Sequence, residues 1–149
     1  MTGPRDVSPL LVGLQLHRAY AVATERLNAA LQPLGLGYRH VTAMFLIRDG
    51  IATHGELVRR LHVDKTGMVR TIDDLERLGL VSKTRSTEDR RSWLLALTSH
   101  GSATLIQAQQ HTRAVADDLF GGLEPAQLAL LSDALAAVAP DDASDVEPR

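Results

Sequence analysis

Between Thr84 and Thr98 the chain reads TRSTEDRRSWLLALT, which sets Arg85, Arg90 and Arg91 beside Glu88 and Asp89 in one short run. Guanidinium groups crowded on a loop suit one chemistry above others. They can enter a narrow anionic groove, where the potential of a duplex favours Arg. A loop Arg loses rotamer entropy on binding. A nearby carboxylate can offset that by holding the guanidinium in a bidentate pair and aiming it. Asp89 and Arg91, one residue apart across a tight turn, have the spacing for such a pair. A lone surface ion pair is worth only about 0–1 kcal/mol. The loop therefore gains meaning from what stands beside it.

A second cluster precedes it. Lys65 to Leu78 reads as a helix on which Met68, Ile72 and Leu75, with Gly79 just beyond, share one face, while Thr66, Arg70, Asp73, Asp74 and Arg77 lie opposite. Its N-terminal half offers Lys65, Thr66, Gly67 and Arg70: donors, plus one residue small enough for close approach. The carboxylates come later, where a helix docked by its first turns would leave a major groove. Arg70 can fork onto a guanine edge or bond a phosphate, and both assignments stay open. An ordinary solvated helix face would also scatter charges this way.

Both clusters need elements to position them. Ser8 and Pro9 open a long amphipathic helix, with Leu10, Leu14, His17, Ala21, Val22, Leu27 and Leu31 at helical spacing, stopped by Pro33 and Gly35. A shorter helix follows from Tyr38 to Arg48, closed by Asp49-Gly50. Thr53, with Glu56 as capping-box partner, starts a helix from His54 to Leu61. His62-Val63-Asp64 makes a turn, Asp64 caps the next helix, and Gly79 closes it as a left-handed residue. Two short helices across a three-residue turn read as helix-turn-helix. Extended segments then flank the charged tip as a β-hairpin, with Trp93 expected to anchor its strand against the core. Thr98 or Ser99 caps a helix to Leu119, Gly121-Gly122 breaks it, and a last helix runs from Ala126 to Val138. Residues 1–7 and 140–149 are expected to be disordered tails.

Composition agrees with a helical domain. The 149 residues are 44% hydrophobic but only 3% aromatic, so Leu, Ala and Val must supply the packing. The net charge of −2 conceals an asymmetry: residues 1–116 carry +5 and residues 117–149 carry −7. With no cysteine, thiolate metal sites and thiol switches are excluded. The six histidines form no H-x-x-x-H pair, so no metal site is expected. No catalytic constellation and no cofactor motif are found, so an enzyme is not expected. The absence of a signal sequence or long apolar run points to a cytoplasmic protein that does not enter a membrane.

The run LVRRLHVDKTGMVRTIDDLERLGLVSKTRSTEDRRSWLLALTSHG resembles the MarR family of winged helix-turn-helix transcription regulators. The matching points are Asp64-Lys65-Thr66, Leu75-Glu76, Gly79-Leu80-Val81, Asp89-Arg90-Arg91 and Leu97-Thr98 with Gly101, and the likeness covers about Leu34 to Gly101. It implies a mainly α fold with a small antiparallel β wing, six helices and an intertwined homodimer. Residues 8–36 and 99–139 would form the dimerisation lobe and 37–98 the DNA-binding lobe. The partner implied is double-stranded DNA, contacted through Thr53, His54, Lys65, Thr66, Gly67, Arg70, Lys83, Asp89, Arg90 and Arg91. Arg91 would enter the minor groove and Asp89 would position it. The family's wing often holds a proline and a basic pair after Gly-Leu-Val. This chain has Ser82-Lys83-Thr84-Arg85 without proline, which suggests a more mobile wing.

The ends support a dimer independently. Leu128, Leu131, Ala134, Leu135 and Val138 form a stripe too wide for one chain of this length to cover easily. Many relatives bind a small aromatic acid between their two lobes. The residues here that suit such an effector are His17, Arg18 and Tyr20 on the first helix, with Tyr38, Arg39 and His40 on the second. The function expected is a repressor of a pseudo-palindromic operator, relieved by a small ligand. The rival is a winged-helix protein-interaction module that does not bind DNA.

Overall fold

The computed structural model describes residues 7–140; the expected tails, apart from Val7 and Pro140, lie outside that range. Six α-helices and one hairpin are formed among the described residues. They are α1 (Pro9–Leu31), α2 (Tyr38–Arg48), α3 (His54–Leu61), α4 (Lys65–Arg77), β1 (Val81–Arg85), β2 (Trp93–Leu97), α5 (Ser99–Phe120) and α6 (Pro125–Val138). No described helix is long and apolar enough to cross a membrane.

Local chemistry accounts for most boundaries. Ser8 precedes α1 in an extended conformation, but its side chain makes no capping bond; Pro9, which needs no N–H partner, starts the helix. At α3, Thr53 Oγ1 accepts from the Glu56 N–H at 3.3 Å. Glu56 closes the box on the Thr53 hydroxyl, at 3.1 Å, rather than on its backbone. His62 then takes φ 50°, a left-handed conformation that His tolerates better than most residues, and so makes the turn tight. Asp64 accepts from the Gly67 N–H at 3.0 Å and caps α4. Gly79, at φ 71°, ends it: the Gly79 N–H reaches Glu76 O and the Leu80 N–H reaches Leu75 O, both at 2.9 Å. That pair of bonds is a Schellman motif.

The hairpin is antiparallel, pairing Val81 with Leu97 at its base and Arg85 with Trp93 at its tip. Leu95 also donates to Ala52 O at 2.8 Å, tying the wing to the segment before α3. The Thr98 N–H donates to Leu80 O, while its hydroxyl donates to Gly79 O at 2.6 Å and accepts from Gly101 N. A Cβ on residue 101 would lie 2.0 Å from Leu80 O, so only glycine allows α5 to start against the end of α4.

One core joins these parts. Leu31, Leu36, Met44, Leu57, Met68, Ile72, Leu75, Leu80, Leu95 and Leu105 are buried together. Leu31 and Leu105 come from the outer helices, so the winged region shares its core with them. The rest of α1 and all of α6 contribute no buried residue. Trp93 does not join the core: it shares the face of β2 that carries Leu95 and Leu97, but at the hairpin tip, opposite Arg85, it lies beyond the core and is 40% exposed.

Candidate nucleic-acid interface

Two sets of cations emerge on the surface. The first is engaged: Arg26 with Asp118, Arg48 with Asp49, Arg39 and Arg77 with Asp74, and Lys83 with Asp73 and Glu76. The second, exposed and without an ion pair among the described residues, includes Lys65 and Arg70 on α4 and Arg90 and Arg91 on the wing tip, along with Arg18, Arg60 and Arg113 elsewhere. Burial of Met68, Thr71, Ile72 and Leu75 turns Thr66 and Arg70 outward, so the N-terminal half of α4 offers donors to solvent. Val69 stands between them at 46% exposure. It was missed in the sequence, although a β-branched apolar residue opposite the buried stripe is a legible signal.

The structure gives several of the expected contact residues partners within the chain. Lys83 was expected to face DNA, but its ammonium lies 2.9 Å from both Asp73 and Glu76 and the side chain is 19% exposed. Partial desolvation pulls its pKa down, yet the bonds to the two carboxylates outweigh it and the net shift is upward. Lys83 is thus a strut between β1 and α4. Gly67 is only half exposed, and a Cβ there would meet Asp64 Oδ1 at 2.8 Å; its smallness serves the helix cap. Asp89 does not grip the Arg91 guanidinium. Its Oδ1 accepts the Arg91 backbone N–H at 3.0 Å and its Oδ2 accepts from the Ser92 hydroxyl at 3.1 Å. The carboxylate therefore orients the backbone of Arg91 through an Asx turn. Thr53 and His54 sit half-buried at the start of α3. Burial lowers the His54 pKa, the Lys83 charge adds to that, and Asp73 opposes it.

Of the six candidate effector residues, three come together. Tyr20, Tyr38 and Arg39 line a cleft of about 400 Å³ with Thr42, Arg60, Val63 and Met68. Burial raises the Tyr38 pKa, with Tyr20 contributing, so that phenol stays neutral. His17 and Arg18 are exposed on α1 and do not line this cleft. His40 is excluded because it is a packing residue, 8% exposed. Its Nδ1 accepts the Gly37 N–H at 2.9 Å, which leaves Nε2 to donate to Asp74 Oδ2 at 3.2 Å. Burial lowers its pKa, with Arg39 and Arg77 adding to that and Asp74 opposing. Asp74 also accepts from Arg39 Nη2 at 2.8 Å and from Arg77. These bonds, led by that of His40, hold its pKa below the usual carboxylate value. One α4 carboxylate is therefore tied to α2 and, through Arg39, to the cleft wall.

A helix-turn-helix capped by Asp64, a hairpin stitched to it, and donor-rich tips on both define a winged helix-turn-helix protein. Residues 34–92 match the MarR family. It is 34% identical over 64 residues to the HTH-type transcriptional regulator PrsX of Escherichia coli. That alignment covers 43% of this chain and 39% of the relative's length. Wild-type MarR from E. coli in its apo form superposes with a TM-score of 0.77 at 28% identity, covering 91% of this chain and 100% of that one. A cysteine-to-serine mutant of MarR complexed with operator DNA gives 0.79 at 27% identity, over 87% and 94% of the two chains.

Proposed function

We propose that a homodimer of this chain regulates transcription by binding a pseudo-palindromic duplex, as a repressor that a small ligand releases. The observation that carries the reading is the sorting of cations. Four of the cations without an ion pair, Lys65, Arg70, Arg90 and Arg91, stand exposed on the two elements that can reach adjacent grooves. In this reading α4 enters the major groove. Thr66 and Arg70 contact base edges or phosphate, and Val69 packs on a thymine methyl. Thr53 and His54 lie beside the backbone, Arg90 meets phosphate and Arg91 enters the minor groove. The exposed faces of α1 and α6 pair with a second copy, which sets two α4 helices about 34–36 Å apart. Occupancy of a promoter would itself exclude polymerase, and a cytoplasmic location accords with a DNA partner. The similarity to an operator-bound MarR supports the same reading.

Release follows from Arg39. It lines the cleft and bonds Asp74 of α4. A carboxylate ligand in the cleft would compete with Asp74 for that guanidinium and loosen the hold of α2 on α4. Selecting bound duplexes from a random pool, then titrating salt, tests DNA recognition. A palindromic consensus and a steep fall of log affinity with log salt are expected, near 0.9 per phosphate contact. Failure to enrich any sequence, or a flat salt response, would abandon DNA recognition and leave the interaction-module alternative.

A further inference from the structure

The wing lacks a proline, yet its tip is firmly built. Arg85 and Trp93 are the last cross-strand pair before the 86–92 loop, and the Arg85 guanidinium carbon lies 4.6 Å from the centre of the Trp93 ring. From that stacked position Arg85 Nη1 donates to the backbone oxygen of Arg90 at 2.6 Å. On the other side of the same peptide unit, the Arg91 N–H donates to Asp89 at 3.0 Å. The peptide joining Arg90 to Arg91 is therefore gripped at both its polar ends. Asp89 is itself placed by the Ser86 hydroxyl, which accepts from the Glu88 and Asp89 N–H groups.

Stacking on an aromatic face suits the planar guanidinium and leaves its N–H groups free to bond in the plane. Trp93, exposed and outside the core, is well placed to hold Arg85 in one rotamer. A fixed 90–91 peptide plane fixes both Cα positions and leaves a single backbone torsion on each side to set where the two side chains point. We propose that Arg85, braced on Trp93, is a positioning residue for the wing, presetting the angle at which Arg91 enters the minor groove. The inference rests on the DNA-binding reading above. It supplies a local substitute for the missing proline.

The test uses the full chain and the duplex that wild-type protein selects from a random pool. Arg85→Ala should weaken binding roughly tenfold. It should erase hydroxyl-radical protection in the flanking minor groove while keeping major-groove protection by α4. Because Arg85 acts through Arg91, adding Arg85→Ala to Arg91→Ala should change affinity by less than about twofold. Trp93→Leu should reproduce Arg85→Ala, and Trp93→Phe should retain most of the binding. Trp93 is the sole tryptophan, so its emission in the free protein should change in Arg85→Ala. Equal losses in both backgrounds would make Arg85 one more direct DNA contact, and unchanged affinity would leave the clamp without a role. Unchanged emission would remove the stack itself. If the wild-type chain selected no duplex, the DNA reading would fall and the positioning role with it, an outcome distinct from the others.

Discussion

The region from Leu31 to Ala108 and the outer helices solve the burial problem in opposite ways. In the first, Leu57, Ile72 and Leu75 are fully buried, and the half-buried Asp74 and Lys83 carboxylate and ammonium have partners. In the second, Leu128, Leu131 and Leu135 of α6 remain 42%, 36% and 41% exposed, and Leu10 and Leu14 of α1 still more. The contrast teaches that one part of the sequence was shaped to fold on itself and the other to be completed. A lone chain would show water a continuous apolar surface that soluble monomers rarely tolerate.

The strongest way to break this comparison is to place charge on the open face. Leu131→Glu with Leu135→Glu should convert the proposed dimer to monomer in sedimentation and lower operator affinity by about a hundredfold or more, because two half-sites would then bind separately. A dimer that survived would mean the face is covered some other way. Next in size, Leu57→Ala should cost about 2–5 kcal/mol in denaturant unfolding, the range for a fully buried leucine. Leu130→Ala, at 70% exposure, should cost far less in a monomeric background.

A pH titration sharpens the contrast at intermediate scale. The folded pKa of His40 lies below its ordinary 6.5, so the unfolded chain binds the proton first as pH falls. Stability from this group is complete above 6.5 and is lost as pH drops from there toward the folded value. His54 is shifted the same way and adds to the slope. Asp74 has a lowered carboxylate pKa and contributes a separate acid-side loss at lower pH. Unfolding at pH 7.5 and 5.5 should show the decline, and His40→Gln should flatten part of it; an unchanged slope would rule out His40 as a source. The smallest effect is expected at Lys83. Lys83→Ala should lower stability by about 0–1 kcal/mol and change the salt dependence of DNA binding little, since its charge already faces two carboxylates. A drop of about one phosphate contact in that slope would return Lys83 to the interface.

The order and nearly all the bounds of the helices were legible because caps and stops are local. Thr53, Asp64, Thr98 and Gly79 act on atoms within a few residues, and their types alone disclose their roles. The winged fold and the two donor-bearing tips were legible for the same reason. What misled was every choice between partners distant in sequence. Lys83 meets Asp73 and Glu76 only once β1 folds back on α4. His40 finds Asp74 thirty-four residues away. Trp93 shares the face of Leu95, yet it is exposed because the hairpin tip runs past the core, which the alternation within one strand does not disclose. Spacing drew attention to Asp89, but whether a carboxylate grips a side chain or the backbone beside it depends on the turn conformation, which spacing does not encode.

Gly101 lets α5 begin directly against the carbonyl of Leu80, and Thr98 stitches the junction shut. From there the helix continues without interruption through 22 residues to Phe120. At 1.5 Å per residue that is a rod of about 33 Å, fastened at its base to the tail of α4. A tilt of about 6° at the far end would displace the near end by about 3 Å over that length. In the proposed dimer on DNA the chain would thus work as a stiff lever, turning a modest shift where two copies meet into a mismatch with the pitch of the duplex.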